Sequence, residues 1–319
     1  MLLTKKPIVS VVIATYNRGE ILSEAAESVL AQSLTDLELI IVDDCSIDNT
    51  QMVINNLCKR DKRIKGLRTG RNCGCNIAYN LGIDKANGKY IAILDDDDIA
   101  LPNRLQRQID IFNNMREVGL VGSAVQYFDE KGPYPFTFPS QSIIKRFPKT
   151  CERAFEDIYL GKYIIPNPSI MVHSELGKRV RYCPLRGIGS DVVLLLQLAA
   201  LGIKFHMIPE VLVLMRRGKT HQQMTRNFED VHVGRTNRIH YIRQWLVENQ
   251  IDQFDHLHKK AIRNNDSNYY LDLASNKGIL GGFPIYLKAF AKNPSFVSFR
   301  SKHLFAQFIA KRLMQLHRK

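Results

Sequence analysis

Four consecutive carboxylates, Asp95-Asp96-Asp97-Asp98, follow the apolar run Tyr90-Ile91-Ala92-Ile93-Leu94 and lead into Ile99-Ala100-Leu101-Pro102. The run itself reads as a short buried parallel strand. Carboxylates this close repel when ionised, so gathering them at a strand end calls for protons, cationic neighbours or a metal. A metal is the economical answer. Aspartate oxygens are hard ligands suited to Mg²⁺ or Mn²⁺, and Mg²⁺ is commonly held by one or two carboxylates with substrate phosphates completing the shell. The alternative is a solvated loop in which Asp98 or a neighbour caps a helix starting near Asn103. Location favours the ligand site, because open α/β sheets bind ligands outside the carboxyl ends of their strands.

A second carboxylate of interest is Asp191, placed after Gly187-Ile188-Gly189-Ser190 at the start of the apolar helical stretch 192–201. It reads either as an N-terminal acid favoured by the helix dipole or as a general base for an acceptor hydroxyl.

The elements that would position these groups alternate along the chain. Ile8 to Ala14 reads as a strand with a turn at Thr15–Gly19, and Leu37 to Val42 as a second strand followed by a polar loop from Asp43 to Thr50. Ile64 to Arg68 is a third. Helical spacing follows each strand: Ile21, Leu22, Ala25, Ala26 and Val29, then Val53, Ile54 and Leu57, then Ala78, Leu81 and Ala86. This alternation predicts an α/β fold, a Rossmann-like, mostly parallel central sheet flanked by helices, with its site along one edge. Neither G-x-G-x-x-G after the first strand nor G-x-x-x-x-G-K-[ST] anywhere is present, which argues against a dinucleotide-dependent dehydrogenase and a P-loop NTPase.

Four blocks together resemble the family 2 inverting glycosyltransferases with a GT-A fold. They are Val9–Arg18, Val42-Asp43-Asp44-x-Ser46-x-Asp48-x-Thr50, Asn72-x-Gly74 with Asn80, and Gly88–Asp98. The resemblance implies a nucleoside diphosphate sugar donor, UDP-linked, with Thr15, Tyr16, Arg18 and Asp44 around the nucleotide. It makes Asp95-x-Asp97 the family's D-x-D, with Asp97 as metal ligand, Asp95 alongside it and Asp96 near the ribose or sugar. Asp191 matches the family's general base, with Ser190 in place of its usual Glu. Arg216, Arg217 and His221 resemble a basic segment that closes over the donor, Arg217 making charge contact and His221 approaching the metal. Three positions depart from the pattern: Tyr79 and Gln197 where relatives often have Arg, and Ser190. Arg71 is a nearby cation that could stand in for the one lost at Tyr79. The cofactor implied is Mn²⁺ or Mg²⁺, and the acceptor a glycan or lipid-linked glycan of a cell-surface polysaccharide or lipopolysaccharide.

Composition sets the remaining expectations. The 319 residues carry 45 Lys and Arg against 31 Asp and Glu, a formal charge of +14 that implies an anionic partner. A catalytic domain over 1–226 is expected, with a nucleotide-sugar half, 1–100, and an acceptor half, 101–226. A helical region, 227–319, should follow. Its stretch from Tyr286 to Lys319 holds eight Lys or Arg and no acid, with Leu304, Phe305, Phe308, Ile309, Leu313 and Leu316 on one side of a final helix. Such a helix suits peripheral contact with an anionic membrane or docking on the catalytic domain. No apolar run is long enough to span a bilayer, the N-terminal run lacks a cleavage site, and six cysteines without framework spacing suit the cytoplasm. Asp129 to Thr150, with four prolines, reads as a long irregular loop able to shape the acceptor pocket. A sugar nucleotidyltransferase is the second enzymatic reading, without a Gly-rich, Lys-containing loop to support it. Non-catalytic glycan or nucleic-acid binding is the third, and no nucleic-acid motif accompanies the basic excess.

Overall fold

A computed structural model of the chain describes residues 6–184, 190–217, 228–276, 285, 287–293 and 297. In chain order the elements are β1 (Val9–Thr15), α1 (Gly19–Leu30), β2 (Leu37–Asp43), α2 (Thr50–Arg60), β3 (Ile64–Arg68), α3 (Cys75–Lys85), β4 (Tyr90–Ile93), β5 (Ile99–Ala100) and α4 (Arg104–Asn114). There follow β6 (Val118–Asp129), β7 (Gly132–Phe138), α5 (Gln141–Ile144), α6 (Cys151–Tyr159), a 3₁₀ turn at Asn167–Ser169, β8 (Met171–His173), α7 (Ser174–Arg179), α8 (Ser190–Ala200), β9 (Lys204–Arg216), α9 (Phe228–Glu248) and α10 (His258–Asn276).

Two compact units result. The first takes in residues 1–155, 164–186 and 190–221; the second takes in 156–163, 187–189 and 222–319. Among the described residues, the first unit holds a nine-stranded sheet in the order β3-β2-β1-β4-β8-β6-β9-β5, with β7 paired to β6. The strands β3, β2, β1 and β4 are parallel, as the alternating pattern predicts. Every residue of β1, β2 and β4 is buried, the mark of strands covered on both faces. The other half of the sheet is mixed: β8 runs antiparallel to both β4 and β6, while β6 and β9 are parallel.

One expectation needs correction. The segment after Asp129 is not an irregular loop: β7 forms a hairpin with β6 through Val125–Phe138 and Gln126–Thr137 pairing, and α5 follows. Its prolines, Pro133 and Pro135, are tolerated because β7 pairs on one side only. The stretches Lys204–Met207 and Val211–Met215 are one strand, β9, whose pairing with β6 absorbs the intervening residues as register shifts.

Polar side chains inside the sheet are satisfied in clusters. Ser10 and Glu38 are cross-strand partners, and the Ser10 hydroxyl donates to Glu38. Glu38 also accepts from Lys65 and from the backbone N–H of Asn87, while Gly88 N–H donates to Ser10 Oγ at 2.8 Å. Burial works against the ionised carboxyl, but hydrogen bonds from Lys65, Ser10 and Asn87 outweigh it and hold its pKa below the usual glutamate value. Glu38→Ala strands Ser10 and the Asn87 N–H, and a loss of about 2–3 kcal/mol in denaturant unfolding is expected. Because the folded-state pKa is depressed, Glu38 contributes fully above the unfolded pKa and loses its contribution as pH falls through the folded value. Comparing the two proteins in urea from pH 7 to pH 3 should show the stability difference shrinking in acid.

Arg104 and Gln108, one turn apart on α4, join three strands from beneath. Arg104 is fully buried; its Nη2 donates to the carbonyls of Ile93 at 2.7 Å and Ile170 at 3.3 Å. Gln108 Nε2 donates to the carbonyls of Ser169 and Val121. Val192 to Ala200 of α8 are all buried, with Gln197 the one polar residue among them. Within the second unit, α9 buries Val231, Ile239, Ile242 and Leu246 at helical spacing, and Tyr159 donates to the Ile239 carbonyl. Among the described residues no helix is long and apolar enough to cross a membrane. The basic stretch from 298 to 319 lies outside the described residues.

Candidate active site

The carboxyl ends of β1, β2 and β4 open onto one place. Thr15 ends β1 with a buried hydroxyl that faces Asp96 without a hydrogen bond of good geometry. The next residues are pinned to the loop after β2: Asn17 N–H donates to Ser46 Oγ at 2.8 Å, Asn17 Oδ1 accepts from the Ile47 N–H, and Arg18 N–H donates to Thr50 Oγ1. Asn17 takes a left-handed φ of 52° to do so, a conformation that asparagine tolerates. Tyr16 is thereby left 40% exposed at the rim. Asp43 and Asp48 serve that loop: Asp43 accepts from Arg68 and the Ser46 N–H, and Asp48 from the Thr50 N–H and hydroxyl.

Asp44 is buried and its carboxylate is heavily committed. Oδ1 accepts from Thr69 Oγ1 and the Cys73 N–H, and Oδ2 from the Gly74 N–H at 2.6 Å. It shapes the loop between β3 and α3. Gly74 is needed there because its φ is 95°. Arg71, on the same loop, is exposed, and its carbonyl shares the Thr69 hydroxyl with Asp44.

The four aspartates after β4 face different ways. Asp97 Oδ2 pairs with Arg18 Nη1 at 2.6 Å, and Asp96 Oδ1 lies 3.6 Å from the same nitrogen. Asp95 Oδ1 accepts from the Tyr79 hydroxyl at 2.6 Å and from Asn167 Nδ2 at 2.9 Å. Asp98 does not cap α4: it turns inward, and its Oδ1 accepts from the Arg216 N–H at 2.9 Å. Burial, then the Asp97 charge, pushes the Asp95 carboxyl up to about 6. Burial also pushes Asp96 up to about 7, with Arg18 opposing, and Asp98 well above the carboxylate range. Arg18 holds its proton more firmly because Asp96, Asp97 and Asp95 outweigh its burial. From below, the buried Arg104 acts on Asp95 and Asp98, and burial brings its own pKa down to about 9.

Two arginines close the far side. Arg216 donates through Nε to the Asp97 carbonyl at 3.0 Å, pairs with Glu24 and lies over the Phe128 ring at 4.5 Å. Arg217 lies over Tyr127 at 4.4 Å, and its charge reaches Asp98. Asp191, in the first turn of α8, comes close enough to act electrostatically on Asp95, Tyr182 and Cys75. The side chain of Ser190 and all of His221 lie outside the described residues. Sequence reasoning passed over Arg104 and Tyr182, neither of which carries a local signal.

Cys75 lies at the start of α3 in the field of Asp95, Asp191 and Asp96. Burial, and then these acids, push its thiol up to about 12. At pH 8 its thiolate fraction is then about 10⁻⁴, so iodoacetamide should leave Cys75 unlabelled in the folded protein and label it after denaturation. Peptide mapping would check this.

Among the described residues no three His, Cys, Asp or Glu side chains converge to hold an ion unaided. Asp97 and Asp95 nevertheless offer hard oxygens at a partly exposed strand end, and Thr15 Oγ1 and Asp98 Oδ2 are buried without partners. This donor set suits Mg²⁺ or Mn²⁺ sharing its shell with phosphate oxygens.

Residues 10–162 match the model of glycosyl transferase family 2. An uncharacterised glycosyltransferase of Methanocaldococcus jannaschii is 36% identical over 216 residues, covering 66% of this chain and 71% of that protein. A putative teichuronic acid biosynthesis glycosyltransferase of Bacillus subtilis, TuaG, is 38% identical over 105 residues, 33% of this chain and 42% of the relative. Among solved structures, S. aureus TarS 1–349 in complex with UDP-GlcNAc superposes with a TM-score of 0.57 at 16% identity, covering 92% of each chain. The mannosyltransferase PcManGT from Pyrobaculum calidifontis, in complex with GDP-Man and Mn²⁺, gives 0.55 at 17% identity, over 97% of this chain and 81% of that one. With a relative matched over most of its length and the GT-A architecture in place, this chain belongs to glycosyl transferase family 2.

Proposed function

We propose that the chain transfers a sugar from a UDP-sugar, with inversion, to a hydroxyl of a glycan or lipid-linked acceptor in cell-surface polysaccharide synthesis. The observation that carries the reading is the convergence of Arg18, Asp95, Asp96 and Asp97 at the carboxyl end of parallel strands, with Asp191 facing the same place. The complexes named above, with UDP-GlcNAc and with GDP-Man and Mn²⁺, and the teichuronic acid relative, support the donor, the cation and the polymer in that order.

Residues 1–100 bind the donor, with Thr15, Tyr16 and the Asp44-shaped loop around the nucleotide and Arg18 and Arg217 contributing charge. Residues 101–226 take the acceptor. A bound Mg²⁺ or Mn²⁺, held by Asp97 with Asp95 beside it, would act as a Lewis acid on the departing diphosphate. Asp191 takes the proton from the acceptor hydroxyl as its oxygen attacks the anomeric carbon. The new C–O bond forms on the face opposite the leaving UDP, so the anomeric configuration inverts. The basic C-terminal sequence supports peripheral contact with an anionic membrane surface, where a lipid-linked acceptor would lie.

The test is nucleotide release from a panel of UDP-, GDP- and dTDP-sugars, with Mn²⁺ or EDTA, followed by NMR of the anomeric proton of the product. UDP release that needs the metal and a product of inverted configuration are expected. Release from no donor, or retention, would overturn the reading.

A further inference from the structure

Two of the residues that depart from the family pattern belong to one hydrogen-bonded network. Tyr79 donates to Asp95 Oδ1 at 2.6 Å, and its ring stacks on Tyr182 with centroids 5.1 Å apart and planes at 26°. Tyr182 donates its hydroxyl to Asn167 Oδ1 at 2.7 Å, and Asn167 Nδ2 donates back to Asp95 Oδ1 at 2.9 Å. Hydrogen bonds run from Tyr79 through Asp95 and Asn167 to Tyr182, and the ring stack of Tyr182 on Tyr79 completes the circuit. Asn80 fixes Tyr182 a second time, accepting from its N–H and donating to its carbonyl, both at 3.0 Å.

The network reaches the helix of Asp191 through the residue before Tyr182. Arg181 N–H donates at 3.1 Å to the side-chain oxygen of Gln197, which is 2% exposed on α8. Tyr182 is itself 1% exposed and lies in the field of both Asp191 and Asp95. With Tyr79, Tyr182 and Gln197 buried and Asn80, Asp95 and Asn167 half-buried, alternative geometries of these groups would leave polar atoms unpaired.

We infer that Tyr182 and Gln197 are positioning residues that fix the Asp191 helix against Asp95, so that the base and the carboxylate cluster are registered as one unit. This rests on Asp191 being the base. Both side chains are buried in the protein, 1% and 2% exposed. Tyr182 sets one side of the register through Asn167 and Asp95, and Gln197 docks α8 on the other side. With the register loosened, Asp191 stands less often in line with the acceptor hydroxyl, and transfer slows while nucleotide binding is unaffected.

The test uses Tyr182→Phe, which keeps the stack on Tyr79 and the backbone bonds to Asn80, and Gln197→Met, which keeps the side-chain length. Each should lower kcat for transfer about tenfold. The KM for the donor and the calorimetric affinity for UDP with Mn²⁺ should stay within about twofold, and the ratio of acceptor transfer to donor hydrolysis should fall. In the double variant the losses should not multiply, because either change opens the same register. Thermal melts identify a variant that fails to fold; for that position Tyr182→Trp or Gln197→Leu repeats the measurement. Undiminished kcat in both single variants, or equal losses in UDP affinity and kcat, would overturn the inference. Asp191→Asn separates the two layers: full transfer by Asp191→Asn removes the base itself, whereas its inactivation beside fully active Tyr182→Phe and Gln197→Met removes only the positioning role.

Discussion

Asp97→Ala is expected to abolish the Mn²⁺-dependent part of UDP binding and to lower sugar transfer by about 10³-fold or more. Asp97 is the one aspartate of the four whose side chain is both partly exposed and committed to a charge partner, Arg18 at 2.6 Å. Removing it takes away the oxygen best placed to share a cation with the diphosphate. The fold should not suffer. Asp97 is a like-charged neighbour that raises Asp95, Asp96 and Asp98, so its loss relieves repulsion among buried acids. Calorimetry with UDP, with and without Mn²⁺, together with a thermal melt, reads both effects. Metal-dependent binding as strong as in the wild type would show that the cation sits elsewhere.

Asp191→Asn should leave UDP binding with Mn²⁺ as it is and reduce transfer by about 10²- to 10⁴-fold, the range that a general base contributes. The substitution keeps the shape but replaces one acceptor oxygen by an NH2 donor and removes the charge, and with them the ability to accept the proton. Steady-state rates at saturating acceptor, beside nucleotide affinity, separate the proton-transfer role from donor binding. Activity within about fivefold of the wild type would assign the proton to another group.

Much of the first unit was legible because parallel strands buried on both faces spell themselves as unbroken apolar runs, as in Val9–Ala14 and Leu37–Val42. The acidic cluster was legible because four aspartates at such a run's end have few physical explanations. The hairpin of β7 was not, since Pro133 and Pro135 argue against a strand unless it is known to lie at an edge. Arg104 at the start of a helix reads as a surface cation, and only the packed structure shows it fully buried beneath Ile93 and Ile170. The partners of Asp95 lie 16 and 72 residues away in sequence, and Asn80 and Tyr182 are 102 apart. No local periodicity carries such contacts. Tyr79 and Gln197 stood out only as departures, and the hydrogen bonds they make give those departures a physical content.

The Arg18–Asp97 ion pair sets a rule of admission for the site. If Asp97 holds the cation as proposed, a bare divalent ion would meet a carboxylate already paired with Arg18 and would have to turn the guanidinium aside before using that oxygen. Its apparent affinity would fall with the fraction of molecules in which Arg18 keeps its hold. A cation arriving with a diphosphate would escape that penalty, because the phosphate oxygens would give the released guanidinium a new counter-ion. On that reading the pair makes the site favour metal carried on a nucleotide over free metal.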